Sequence, residues 1–270
     1  MGYKNLLDMH VHTENSPDGI HSAMRMCEAA VKGSVRSVTF CDHCETDIYE
    51  KENFAVSMQH AFVEVAKAKS AFTGTILVNN GIELGQPVFN TELADSIVAR
   101  FNYDQVISSI HNLRNREDFA FIDYGKEDPD KLLECYFDEM KMMTEWGNFD
   151  VLAHMTYPLR YMEGEQGIKT DISKFEKKID GILKDIIEKN IALEVNTSGL
   201  RQKIGKTLPD EEIVSRYRQL GGQLITVGSD AHSENDVGSG IEDGMKLIER
   251  CGFKEITLFG QRQPIQIKIE

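Results

Sequence analysis

The stretch "DMHVHTENSPDG", residues 8–19, places His10 and His12 one residue apart in an apolar segment, with Asp18 six positions further on. Residues two apart on a strand project to the same side, so both imidazoles can face one ion while Val11 packs the other way. A same-side pair of this kind chelates. Neutral imidazole together with carboxylate suits divalent zinc, manganese or iron.

The pattern is repeated along the chain. Six of the eight histidines, His10, His12, His43, His111, His154 and His232, fall at or just beyond the end of a short β-branched run. Glu83 closes a third such run and Asp230 closes the last. A carboxylate such as Glu83 has two oxygens and can bridge two ions, so more than one metal is expected. His21 and His60 stand outside the pattern, the first as a local cap or rim contact and the second on a helix face. "CDHC" at 41–44 lacks the second cysteine pair that a zinc ribbon requires. It reads as a buried strand residue, Cys41, followed by a loop-lining Cys44. Arg160 and Arg201 follow the fifth and sixth runs, and two guanidiniums above a metal cluster would suit a phosphomonoester. A pair of surface salt bridges fits their spacing equally well.

These residues need elements that bring them together. Seven short runs read as strands, at 5–12, 37–43, 76–84, 103–111, 149–155, 191–196 and 223–232. Between them, 22–32, 54–70, 90–100, 128–146, 172–189 and 209–220 carry apolar residues at helical spacing, and 240–251 follows the last strand. Strand and helix in alternation imply parallel strands covered by helices, which both a closed barrel and an open doubly wound sheet satisfy. In a barrel the carboxyl ends of the strands converge on one face, where such folds build their sites.

Composition narrows the partners. With 41% hydrophobic and 27% charged residues the chain is expected to be a soluble globular protein, a single continuous domain over residues 1–270. No apolar run is long enough for a membrane span, and "MGYKNLLDMHVH" does not read as a signal peptide. Five cysteines do not suggest a disulfide framework, and a cytoplasmic location is expected. A net charge of −14 without a basic block argues against a nucleic-acid partner, though not against a small anion held by metal ions.

In their order, "HVH" at 10–12, "CDH" ending at His43, "GIE" ending at Glu83, "SSIH" ending at His111, "AH" at 153–154 and "SDAH" at 229–232 resemble the PHP (polymerase and histidinol phosphatase) superfamily. "EVNTSGLR" and the arginine six residues after His154 further resemble its histidinol-phosphate phosphatase branch. The resemblance implies a distorted seven-stranded (β/α) barrel, TIM-like, with a trinuclear metal site. It implies one ion on His10, His12, Glu83 and Asp230, a second on Glu83, His111 and His154, and a third on Asp18, His43 and His232. Arg160 and Arg201 would bind the phosphate, and Glu83, Asp230 and His232 would act with them in catalysis. The implied reaction is hydrolysis of L-histidinol phosphate in histidine biosynthesis by a hydroxide that metal coordination makes available. The loops near 112–130 and 160–172 carry Glu117, Asp118, Glu163 and Glu165, which could receive a cationic amino alcohol. Another small phosphate ester or nucleotide is the alternative substrate. A C–N metallohydrolase and a non-catalytic metal-binding module are the remaining readings.

Overall fold

A computed structural model describes residues 3–270; Met1 and Gly2, the first residues of the stretch "MGYKNLLDMHVH" that does not read as a signal peptide, lie outside the described residues. Each expected strand forms. They are β1 (Leu6–Val11), β2 (Val35–Phe40), β3 (His43–Glu45), β4 (Leu77–Gly85), β5 (Gln105–Ser109), β6 (Val151–Leu152), β7 (Ala192–Asn196) and β8 (Ile225–Gly228). The second expected strand is interrupted at Cys41 and Asp42, so β2 and β3 are successive pieces that both pair with β4.

All neighbours in the order β1-β2-β4-β5-β6-β7-β8 are parallel. The ring then closes. Val11 bridges Ala231, Asp230 N donates to His10 O at 2.8 Å, and His12 N donates to Ala231 O at 2.9 Å. Gly228 permits this approach, because a Cβ there would lie 2.4 Å from the Cβ of His10. The result is a nearly closed, TIM-like barrel of seven staves, distorted where β6 shrinks to two residues.

The covering helices are α1 (Ala23–Lys32), α2 (Phe54–Ala71), α3 (Thr91–Val98), α4 (Pro129–Trp146), α5 (Glu176–Glu188), α6 (Glu211–Gln219) and α7 (Ile241–Arg250). Their starts follow capping chemistry: Asn90 accepts from Leu93 N ahead of α3, and Asp128 caps α4, whose first residue is proline. The helix expected over 172–189 begins instead as a 3₁₀ turn, Ile172–Phe175, where the Asp171 carboxylate accepts from Ser173 N. α5 buries Ile179, Ile182, Leu183 and Ile186.

Two features depart from expectation. After α7 the chain forms an antiparallel hairpin, β9 (Glu255–Gly260) and β10 (Gln263–Lys268). Its Phe259 packs with Cys41, Ile107, Val151, Ala153 and Ala192, which stoppers the barrel at the amino ends of the strands. Cys44 is not loop lining: it lies in β3, fully buried in the main core with Leu84. Cys41 is buried as expected, and burial pushes its thiol well above the ordinary range. No helix among the described residues is long and apolar enough to cross a membrane.

Candidate metal centre

β1 presents His10, and His12 follows its last residue, both fully buried, while Val11 turns into the core formed with α1 and β2. β3 opens on His43 and β4 carries Glu83. The loops after β5, β6 and β8 carry His111, His154, and the pair Asp230 and His232. The carboxyl ends of the barrel strands thus gather the nine residues expected as ligands, Asp18 arriving from the loop after β1.

Glu83 lies at the middle. Its Oε2 is 3.1 Å from His10 Nε2, 3.5 Å from His12 Nε2 and 3.2 Å from His43 Nδ1. Its Oε1 is 3.2 Å from His111 Nε2 and 2.9 Å from His154 Nε2. One carboxylate therefore addresses two separate groups of imidazoles through its two oxygens. Asp230 Oδ1 lies 3.4 Å from His12 Nε2 and 3.9 Å from His10 Nε2. At the outer side Asp18 sits 3.2 Å from His232 Nε2 and 3.7 Å from His43 Nε2.

A second layer of acceptors orients the rings, and the sequence reading missed it. Glu194 Oε1 is 2.6 Å from His10 Nδ1, Glu45 Oε1 is 3.0 Å from His111 Nδ1, and the Asp230 carbonyl is 3.0 Å from His232 Nδ1. Ionised carboxylates and carbonyls only accept, so Nδ1 carries the hydrogen and, in a neutral ring, Nε2 keeps its lone pair. A signal for Glu194 existed: it is an acid inside the apolar run "IALEVN". Glu45 directly follows "CDHC" and had no periodic signal.

This donor set fits divalent cations. The Nε2 atoms of His12 and His232 are buried without a hydrogen-bond partner, the state expected of nitrogen lone pairs awaiting an ion. Burial, followed by repulsion from His232 and His43, holds His12 well below the ordinary imidazole range, favouring its neutral form. Burial pushes the Glu83 carboxyl up, but His10, His43 and His111 outweigh it and hold the group well below its usual value. Burial likewise depresses His43, yet Glu83, Glu45 and Asp18 raise it to about 9. Carboxylates that hold protons on neighbouring imidazoles to this extent would equally favour a cation in the protons' place.

Above the cluster opens a cavity of ≈ 570 Å³. Arg160, on a π-helical turn (Arg160–Glu165), lines it. Its Nη2 donates to Ser198 Oγ at 2.7 Å and to Asp230 Oδ2 at 3.2 Å, and its guanidinium lies 5.0 Å from the ring centre of Tyr157. Burial opposes its charge, but Asp230 beside it raises its pKa overall. Arg201 does not line the cavity. It donates through Nη1 to Ser229 O at 2.6 Å and through Nη2 to Asp230 O at 2.8 Å, holding the peptide on which Asp230 adopts a left-handed φ of 56°. Glu117 and Asp118 line the cavity as expected, joined by Asp47. Glu163 and Glu165 do not: they turn to Lys206 and Lys203 at the surface. His60 is exposed on α2, and His21 Nδ1 accepts from Glu234 N at 3.2 Å.

A family model described as "PHP domain" matches residues 8–198. The chain is 29% identical over 261 residues to the probable histidinol-phosphatase of Thermotoga maritima, covering 95% of this chain and 97% of that one. It is 25% identical over 265 residues to the histidinol-phosphatase of Lactococcus lactis, covering 94% of each. A crystal structure of histidinol phosphate phosphatase from Lactococcus lactis, complexed with zinc, L-histidinol and phosphate, superposes with a TM-score of 0.85 at 20% identity, covering 97% of this chain and 99% of that one.

Proposed function

The chain belongs to the PHP domain family, and from that premise we propose that it is a metal-dependent phosphatase converting L-histidinol phosphate to L-histidinol and phosphate in histidine biosynthesis. Residues 1–270 would act as one cytoplasmic domain holding two to three divalent ions of zinc, manganese or iron. The observation that carries this reading is the position of Arg160 on the cavity wall, tied to Asp230 and directly beside the cluster of imidazoles and carboxylates.

Divalent ions bound by His10, His12, Asp18, His43, Glu83, His111, His154, Asp230 and His232 would supply Lewis acidity and bring the pKa of water towards neutrality. The chain's own residues do the rest. Arg160 would donate to phosphoryl oxygens and offset the charge that grows on them during transfer. The Asp230 carboxylate and the Tyr157 ring hold that guanidinium in place. Asp230 and His232, which also line the cavity, would hold the ions against the phosphoryl group during catalysis. Turnover of histidinol phosphate by the metal-loaded protein, run beside a nucleotide and a generic ester, tests the assignment; no phosphate from any ester would overturn it.

Glu117, Asp118 and Asp47 line the cavity beside Lys51 and Arg116, and these carboxylates would receive the ammonium group of histidinol. Glu117→Gln is expected to raise KM for histidinol phosphate about threefold and leave kcat unchanged, the size of a solvent-screened charge contact. A KM that does not move would remove Glu117 from recognition.

Arg201 would serve phosphate capture through Asp230, whose carboxylate anchors Arg160. Arg201→Ala is expected to raise the inhibition constant of inorganic phosphate about tenfold, one charge-assisted contact being worth ~1.5 kcal/mol, with the metals retained. Inhibition assays alongside elemental analysis check this, and an unchanged constant would show that the hold of Arg201 on the Ser229 and Asp230 carbonyls does not bear on phosphate capture.

A further inference from the structure

Among the imidazoles of the cluster, His12 has an unusual neighbour at Nδ1. His10, His111 and His232 face a carboxylate or a carbonyl there, groups that can only accept. His12 Nδ1 instead faces a hydroxyl, Ser16 Oγ, at 3.0 Å. A hydroxyl can donate or accept, so by itself it would leave the tautomer of His12 open.

The surroundings of Ser16 remove that freedom. Its Oγ donates to Asp42 Oδ1 at 2.9 Å and accepts from the backbone N–H of His43 at 3.0 Å. Asp42 is itself fixed as an acceptor, taking Thr13 N on Oδ1 at 2.6 Å and Thr13 Oγ1 on Oδ2 at 2.8 Å. A hydroxyl has one proton and two lone pairs. The proton is committed to Asp42 and one lone pair to His43, so the remaining lone pair can only receive a hydrogen from His12 Nδ1. Neutral His12 must then leave Nε2 bare. That atom is buried without a hydrogen-bond partner and lies 3.4 Å from Asp230 Oδ1 and 3.5 Å from Glu83 Oε2.

We propose that Ser16, oriented by Asp42, is a positioning residue that locks His12 in the Nδ1–H tautomer and so aims its Nε2 lone pair at the cation site. The proposal rests on the reading of His12 as a metal ligand. The same hydroxyl also ties the loop after β1 to β3, since it accepts from the His43 backbone, so one side chain sets the orientation of one ligand and the placement of another.

Long-range ¹H–¹⁵N NMR of the full chain with labelled histidine, recorded zinc-loaded and after chelation, reads the tautomer directly. The expected wild-type result is hydrogen on Nδ1 of His12 in both states, with zinc on Nε2. Ser16→Ala is expected to show both tautomers after chelation and to weaken zinc binding, measured by chelator competition, by about 10–100-fold. Ser16→Thr, which restores the hydroxyl, should recover most of that loss. Hydrogen on Nε2 in the chelated wild-type protein, zinc on Nδ1, or unchanged zinc affinity in Ser16→Ala would overturn the proposal. Should Ser16→Ala fail to fold, the wild-type tautomer still decides. Zinc is the only probe, so failure to hydrolyse histidinol phosphate would count against the activity proposed above and leave this inference standing.

Discussion

Glu83→Ala is expected to lose most bound metal and to lower kcat by about 10³-fold or more, since a bridging carboxylate supports both ions and the chemistry between them. The expectation follows from geometry: Oε1 and Oε2 of Glu83 separately approach His111 with His154 and His10 with His12 and His43. Removing the carboxylate leaves five imidazoles around a buried space with no negative charge at its centre. Glu83→Gln keeps the volume and one acceptor oxygen, so it should fold as the parent does and still bind metal poorly. Elemental analysis after dialysis, with circular dichroism to verify the fold, checks both variants. A fully loaded Glu83→Ala protein would rule out bridging.

Arg160→Ala is expected to lower kcat/KM by about 10²–10³-fold, the usual cost of removing one preorganised donor from a developing oxyanion, while metal content stays at the parent level. That separation of effects distinguishes it from Glu83. Arg160→Lys should recover only part of the loss, because an ammonium cannot make two parallel hydrogen bonds to a phosphate or stack on Tyr157 in the same way. Steady-state kinetics with histidinol phosphate and inhibition by inorganic phosphate supply the measurements. If phosphate inhibits Arg160→Ala as strongly as it does the parent, the cavity wall does not hold the phosphoryl group where proposed.

The cluster of imidazoles and carboxylates was legible because its signal is local. Alternation on β1 puts His10 and His12 on one side, and parallel strands carry their terminal residues to one end, so residue type and position relative to each run suffice to locate the cluster. The barrel itself was less determined, since alternating strand and helix also describes an open sheet. Closure depends on β1 meeting β8, which the missing side chain of Gly228 makes possible. The terminal hairpin escaped notice because its β10 strand is largely exposed and shows no buried alternation. Glu163 and Glu165 looked equivalent to Glu117 in a loop, and only the positions of Lys206 and Lys203 drew them away from the cavity.

What the amino-acid order determined by itself, then, was the set of groups at the strand ends and their common direction. Which acceptor meets each Nδ1, where Arg201 spends its donors, and how Ser16 comes to lie between His12 and Asp42 were decided by tertiary structure. The reason is separation along the chain: His10 and Glu194, 2.6 Å apart in space, are 184 positions apart in sequence, and no local periodicity links them.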